Sequence, residues 1–178
     1  MRTRRLDLGP LRRKDFERLY EHWCIPEVGR WLWDQVPPTR EQVEKELVNS
    51  LTSFAERGFG VWLLRARVDS RFVGTCGLLS VPEGTGEIEI ICSIEPCQWR
   101  RGYALEATRA VLRHAFEELE VGEIVGRCDV PNEPSRRLVE KLGMRFERKA
   151  PIEGVDCFHY RLTRTQYRGS SSNGAESS

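Results

Sequence analysis

The chain has 178 residues, enough for one domain with a substantial core and little beyond it. Hydrophobic residues make up 39% and charged residues 31%, a balance that excludes a disordered chain. Lys plus Arg total 28 against 27 for Asp plus Glu, and a net charge of +1 argues against a nucleic-acid partner held by bulk charge. No apolar run approaches the roughly 20 residues of a membrane-spanning helix. The basic start, MRTRRLDLGP, has no apolar stretch behind it and does not read as a secretory signal. Six cysteines without a C-x-x-C, and only three histidines, give no metal-site spacing. They read as reduced, mostly buried thiols of a cytoplasmic protein.

Residues 6–8 are a short apolar first strand. Over 14–23 the spacing is helical, with Phe16, Leu19, Tyr20 and Trp23 on one face. Pro26 and Gly29 are expected to break it, leaving an irregular aromatic stretch that holds Trp31, Trp33, Pro37 and Pro38. Thr39 with Gln42 three residues later is a capping box. Val43, Leu47, Leu51 and Phe54 form the face of the helix it opens, which Gly58 ends. The period then becomes two. VWLLRARV, a turn at Asp69 and Ser70, RFVGTCGLLS, a turn over 82–86, and IEIICSI predict an antiparallel meander.

Helical period returns after Arg101, with Ala104, Ala107, Thr108, Val111, Ala115 and Leu119 on one side, and stops at Gly122. EIVGRCDV reads as a buried strand. Asn132 caps a helix with Pro134 in its first turn and Gly143 past its end. Phe146 and 157–162 mark two closing strands. This order predicts an α+β, layered α/β fold, with a mixed, mostly antiparallel sheet of about seven strands and about four helices. Residues 1–168 form the one domain, and the Ser-rich 169–178 read as a disordered tail.

Chemistry concentrates in CSIEPCQWRRGYALEA, where a strand ends and a helix opens at a glycine. Unpaired amides at a helix start converge on one spot, and the helix dipole adds partial positive charge there. Gly102 admits a phosphate close to the backbone, Ala104 keeps the next turn slim, and Arg100 and Arg101 bring charge. The bland alternative is an ordinary strand-to-helix turn with two solvated arginines.

With these residues in view, the chain resembles the GNAT N-acetyltransferases, and within them the RimJ/RimL branch. The family's pyrophosphate loop, Q/R-x-x-G-x-G/A, corresponds here to Trp99, Arg100, Arg101, Gly102, Tyr103 and Ala104, followed by Leu105, Glu106 and Ala107. Arg100 stands where the branch usually has glycine. FVGTCGL, NEPSRRLVEKLGM and residues 156–167 resemble further segments of the branch, in the same order. The resemblance implies a GNAT fold and an acetyl-CoA-dependent transfer to a primary amine, on a protein N-terminus or a small molecule, by direct transfer in a ternary complex. It further implies that Cys92, Ser93 and Ile94 offer backbone groups to the pantetheine arm and the thioester in a gap between two strands. Homodimers are frequent in the family.

Glu89 is the first candidate base, with Glu87, two residues earlier at the same side-chain parity, as its rival and as a candidate substrate contact; the bland alternative is that both face solvent. A water chain is the third option. The family's tyrosine acid corresponds to Val139, which cannot donate, so Ser135, one helical turn earlier, is the candidate proton donor to the thiolate and a cofactor contact. Asn132 resembles the family's cofactor-contacting asparagine and also reads as a plain N-cap. Trp31 and Trp33 fall in the acceptor-side wall, or else serve core packing. Glu21, Glu27 and Asp34 suit a cationic acceptor, or are ordinary surface acids. His159 is a lesser candidate on the acceptor side. The competing reading of the whole is a catalytically weak acetyl-CoA-binding module or sensor.

Overall fold

The computed structural model describes residues 1–33, 36–81 and 86–173, with side chains as far as 169. Seven strands hydrogen-bond in the order β1-β2-β3-β4-β5-β7-β6. They are β1 (Leu6–Pro10), β2 (Val61–Ala66), β3 (Phe72–Ser80), β4 (Ile88–Ile94), β5 (Glu123–Asp129), β6 (Arg145–Ile152) and β7 (Val155–Thr163). The helices are α1 (Phe16–Trp23), α2 (Pro26–Leu32), α3 (Arg40–Arg57), α4 (Tyr103–Arg113), α5 (Glu133–Lys141) and α6 (Arg164–Asn173). Backbone contacts divide the chain into two compact units, Met1–Leu79 with Ile91–Val111, and Ser80–Ile90 with Leu112–Ser178.

In the first unit, β1 pairs antiparallel with β2 and β2 with β3. One core joins the strands to α1–α3 through Leu11, Leu19, Trp23, Val28, Val43, Leu47, Val61 and Leu63. Burial of such aliphatic side chains stabilises by about 1.5–3 kcal/mol each. The capping box at Thr39 forms as expected: the Gln42 amide donates to Thr39 Oγ1 at 3.2 Å, and the Thr39 amide to Gln42 Oε1 at 2.7 Å. Gly58 takes the left-handed conformation (φ 77°) that ends α3.

Two places differ from the sequence reading. Pro26 does not leave an irregular stretch; it opens α2, at the first helical position, where its missing N–H costs no hydrogen bond. At the other end, α6 carries the chain to Asn173, into the Ser-rich segment expected to be disordered from 169. Six helices therefore stand against the four read from the pattern. Asp34, residues 82–85 of the second turn, and 174–178 lie outside the described residues.

In the second unit, a parallel pair joins β4 to β5 at Glu89 and Val125. β5 pairs antiparallel with β7, and β7 with β6. Asn132 Oδ1 accepts from the Ser135 amide at 3.2 Å and caps α5, with Pro134 in its first turn. Phe116 stacks on Tyr167 (5.0 Å between ring centroids), and Gly126 leaves room for Met144 and Val139.

The approach of β3 to the end of β4 is closer than side chains allow. At Gly74 (φ 149°) an added Cβ would lie 2.2 Å from the Ser93 carbonyl oxygen. Gly74→Ala combines overpacking with backbone strain, and we expect it to cost about 3 kcal/mol of unfolding free energy in denaturant titration. Gly9→Ala, whose Cβ would meet nothing within 4 Å, serves as the control and stays within about 0.5 kcal/mol of the parent.

Candidate active site

The C-terminal end of β4 presents Cys92, Ser93 and Ile94. Ser93 lies in a chain of polar side chains. Thr75 Oγ1 and Ser93 Oγ are 2.9 Å apart, Ser93 Oγ and His22 Nε2 2.9 Å, and His22 Nδ1 and Glu95 Oε1 3.2 Å. The His22 side chain is 0% exposed, and burial, with Arg18 adding in the same sense, pushes its pKa down to about 4. The imidazole is therefore neutral at pH 7. An ionised Glu95 only accepts, so Nδ1 carries the ring proton and Nε2 accepts from the Ser93 hydroxyl. His22 gave no signal in the sequence beyond a histidine on a helix face. Phe72 packs edge-on against its ring at 5.1 Å.

Beyond β4, the indole of Trp99 donates to the Ile94 carbonyl at 2.7 Å, although the residue is 46% exposed. That carbonyl is thus already engaged. Cys92 is half-buried and Cys97 exposed, and both are free thiols. Arg100 has φ 61° and Gly102 φ 78°. The arginine thus adopts a left-handed conformation at the position where the resemblance expects glycine. α4 starts at Tyr103, and its first-turn amides have no intrahelical acceptors. Arg5 fastens this turn: its Nη1 donates to the Arg101 carbonyl at 2.8 Å, its Nε to Glu106 at 2.6 Å, and its guanidinium lies 4.7 Å over the Tyr103 ring. Open amides beside exposed Arg100 and Arg101 suit a pyrophosphate.

In the second unit, Glu89 and Glu87 share a strand face with Arg127 between them. Arg127 Nη2 donates to Glu87 Oε2 at 2.8 Å, whereas its Nη1 reaches Glu89 Oε2 only at 3.5 Å. Glu87 also accepts from Arg161 at 2.7 Å. Its carboxyl is held below the usual range, chiefly by the Arg161 hydrogen bond. The Glu89 side chain is 20% exposed. Burial pushes its pKa up to about 7, against the pull of Arg127 and with Glu87 adding to the rise.

On α5, the Ser135 hydroxyl hydrogen-bonds the Cys128 thiol, a minor influence beside the burial that pushes that thiol to about 11. Val139 is buried. His159 is buried on β7, where Nε2 donates to the Ala150 carbonyl at 3.2 Å, a structural bond. In the first unit, Trp33 packs against Trp23 at 5.6 Å and Trp31 lies beside Arg30 at 4.4 Å. Trp33 therefore joins the core, although its buried indole N–H has no acceptor among the described residues. Among the described residues no group of three or more His, Cys, Asp or Glu is placed to hold a metal, and no helix is long and apolar enough to cross a membrane.

The acetyltransferase (GNAT) domain model matches residues 5–145. The chain belongs to the GNAT acetyltransferases. This enzyme is therefore an N-acetyltransferase that uses acetyl-CoA as co-substrate. It is 32% identical over 154 residues to the FsC-acetyl coenzyme A-N(2)-transacetylase of Aspergillus fumigatus, covering 81% of this chain and 64% of that protein. Its fold is similar to that of an acetyltransferase from Agrobacterium tumefaciens (TM-score 0.80, 24% identity, 91% and 92% of the two chains). It is also similar to that of the spermidine N-acetyltransferase of Vibrio cholerae in complex with CoA and spermine (TM-score 0.75, 17% identity, 92% and 98%).

Two predictions follow from the geometry of this acetyltransferase. Arg100→Gly relieves a left-handed backbone worth roughly 1 kcal/mol but removes a positive charge. Its Kd for acetyl-CoA, measured by calorimetry, should stay within about threefold of the parent, while Arg100→Val, strained and uncharged, weakens binding by tenfold or more. For His22, the folded pKa of about 4 lies below the ordinary histidine value of 6.5, so the unfolded chain binds the extra proton between those pH values. Stability therefore falls as pH drops through this window, by about 3 kcal/mol from this residue. Denaturation midpoints of His22→Gln between pH 7 and pH 4 should lack that part of the slope.

Proposed function

We propose that this enzyme acetylates a primary amine in the manner of the RimJ/RimL branch, on a protein N-terminus or a small molecule, by direct transfer within a ternary complex. The observation that carries the reading is Glu89, a carboxyl only 20% exposed, whose burial raises its pKa to about 7 beside an arginine held more tightly by Glu87. An amine reaches the enzyme mostly as ammonium, and a base with this affinity removes its proton at neutral pH without losing the driving force for transfer. The freed nitrogen attacks the thioester carbonyl, the carbon–sulfur bond breaks, and the thiolate takes a proton.

In this reading the amides of Cys92, Ser93 and Ile94 stabilise the oxyanion, and the turn from Trp99 through Arg100, Arg101, Gly102 and Tyr103 to Ala104 holds the pyrophosphate. Ser135 supplies the proton to the thiolate, and Asn132 contacts the cofactor while capping α5. Trp31 belongs to the acceptor side, whereas Trp33 serves the core it packs against. Glu87, whose two oxygens each take an arginine, is better suited to organising charge than to binding substrate. Six free cysteines accord with the reducing cytoplasm.

A second reading, an acetyl-CoA-binding module with little turnover, is favoured by Val139 in place of a phenol and by the Ser135 hydroxyl already engaged with Cys128. A screen of amines and N-terminal peptides by mass spectrometry, scoring gain of one acetyl group, separates the two: tight acetyl-CoA binding with no acetylated acceptor favours the module. With an acceptor in hand, Glu89→Gln should lower kcat/KM by about 100-fold or more and abolish the limb of the pH–rate profile that falls below pH 7. Retention of that limb would reassign the base.

A further inference from the structure

We propose that Glu87 is a positioning residue: together with Arg161 it anchors the Arg127 guanidinium away from Glu89, leaving the Glu89 carboxylate without a full counter-charge. The inference deepens the proposed function and rests on Glu89 as the base.

The geometry is asymmetric. Arg127 has one short bond, 2.8 Å to Glu87, and one at the limit, 3.5 Å to Glu89. Its Nε is buried with no partner among the described residues. An arginine beside a free carboxylate normally takes it as a two-pronged pair. Here the fork is turned aside, because Glu87 offers an oxygen that is itself fixed. The other Glu87 oxygen accepts from Arg161 at 2.7 Å. Arg161 in turn is held by Glu147 at 2.6 Å and by Glu123. The anchor thus runs from β6, β7 and the start of β5 to Glu87, and Arg127 follows Glu87. Strand parity makes this a competition: Glu87 and Glu89 lie two residues apart on one face, so a single guanidinium grips one of them well.

His159 and Cys157 on β7 interact electrostatically with this cluster. Burial holds His159 on β7 below its ordinary value, so it is neutral at pH 7. The Cys157 thiol, pushed to about 12, stays protonated. Arg148 on β6 lies near His159, and Arg161, pushed up by its carboxylate partners, keeps its charge. The affinity of Glu89 for a proton is set by its burial and by how far Arg127 is withheld. Loss of Glu87 acts twice in one direction: it releases Arg127 towards Glu89 and removes a neighbouring negative charge.

The test is carboxyl NMR of the full chain labelled with 13Cδ-glutamate, with the Glu89 signal identified as the one missing from Glu89→Gln. In the parent protein this signal titrates with a midpoint near 7. In Glu87→Gln the midpoint moves down by a unit or more, a tenfold or greater loss of proton affinity. In Arg127→Gln it moves up, and adding Glu87→Gln to that background produces a much smaller change than in the parent, because the arginine that transmits it is gone. An unchanged or raised midpoint in Glu87→Gln overturns the proposal, and so does an equal shift in both backgrounds. If Glu87→Gln does not fold, Glu87→Asp, which keeps the charge but shortens the anchor and so frees Arg127 towards Glu89, must lower the midpoint as well. The base assignment is judged separately: a pH–rate profile unaltered by Glu89→Gln removes the base while leaving the charge geometry intact.

Discussion

A carboxylate taken out of water needs compensation, and Glu89 receives only part of it. Its side chain is four-fifths covered, and the nearest cation is bound more tightly to a neighbour. Removing an acid from water disfavours its charged form, while a close guanidinium restores it. The balance leaves Glu89 with a pKa of about 7. Full pairing with Arg127 would have made a stable, inert ion pair, and no arginine at all would have left a protonated acid. β4 carries Glu89, Glu87 stands just before the strand at the same parity, β5 contributes the shared arginine, and β7 fixes Glu87. Each strand matters here because it sets how much of one positive charge reaches one carboxyl.

The same physics works in the opposite sense on His22. Burial raises the proton affinity of an acid and lowers that of an imidazole. In solution near pH 7 a glutamate is a poor base and a histidine a serviceable one. Here the glutamate gains the proton affinity that a base needs, and the histidine becomes a neutral acceptor that fixes the Ser93 hydroxyl. A histidine two hydrogen bonds from Thr75 and one from Glu95 looks like a nucleophile-activating set. Its low proton affinity argues against that role, since it would hold an abstracted proton poorly. It serves to orient Ser93 at the end of β4, the segment that Gly74 already packs against without room for a methyl group.

Much of the architecture was legible because local rules agreed with one another. β4 occupies the run IEIICSI, and Thr39 and Gln42 form the expected box, because alternation and capping chemistry are properties of neighbouring residues. Pro26 was misread because the same residue ends one helix and begins another, and only the geometry of Ile25 before it decides which. The shared face of Glu87 and Glu89 followed from strand parity. Arg127 and His22 did not emerge, since each finds its partner across a long stretch of chain: 40 residues separate Arg127 from Glu87 and 71 separate His22 from Ser93. No periodicity records such a meeting. The turn from Trp99 to Ala104 stood out for the contrary reason, as one contiguous segment whose proposed chemistry resides in its own backbone.

That turn also shows how an unfavourable residue is kept in place. A left-handed arginine costs roughly 1 kcal/mol relative to glycine, and such strain persists only where the surroundings fix the chain several times over. They do so here. Glu106 accepts from Thr3 Oγ1 at 2.6 Å, from the Arg5 amide at 2.7 Å and from Arg5 Nε at 2.6 Å, while Arg5 also binds the Arg101 carbonyl. The N-terminal segment therefore clamps the first turn of α4 from outside, and the backbone between Arg100 and Gly102 has little freedom to relax. With the conformation enforced by distant contacts, the residue at position 100 is free of the requirement for glycine. A guanidinium can then stand beside the helix-start amides, adding to the proposed pyrophosphate turn a full charge that glycine does not carry.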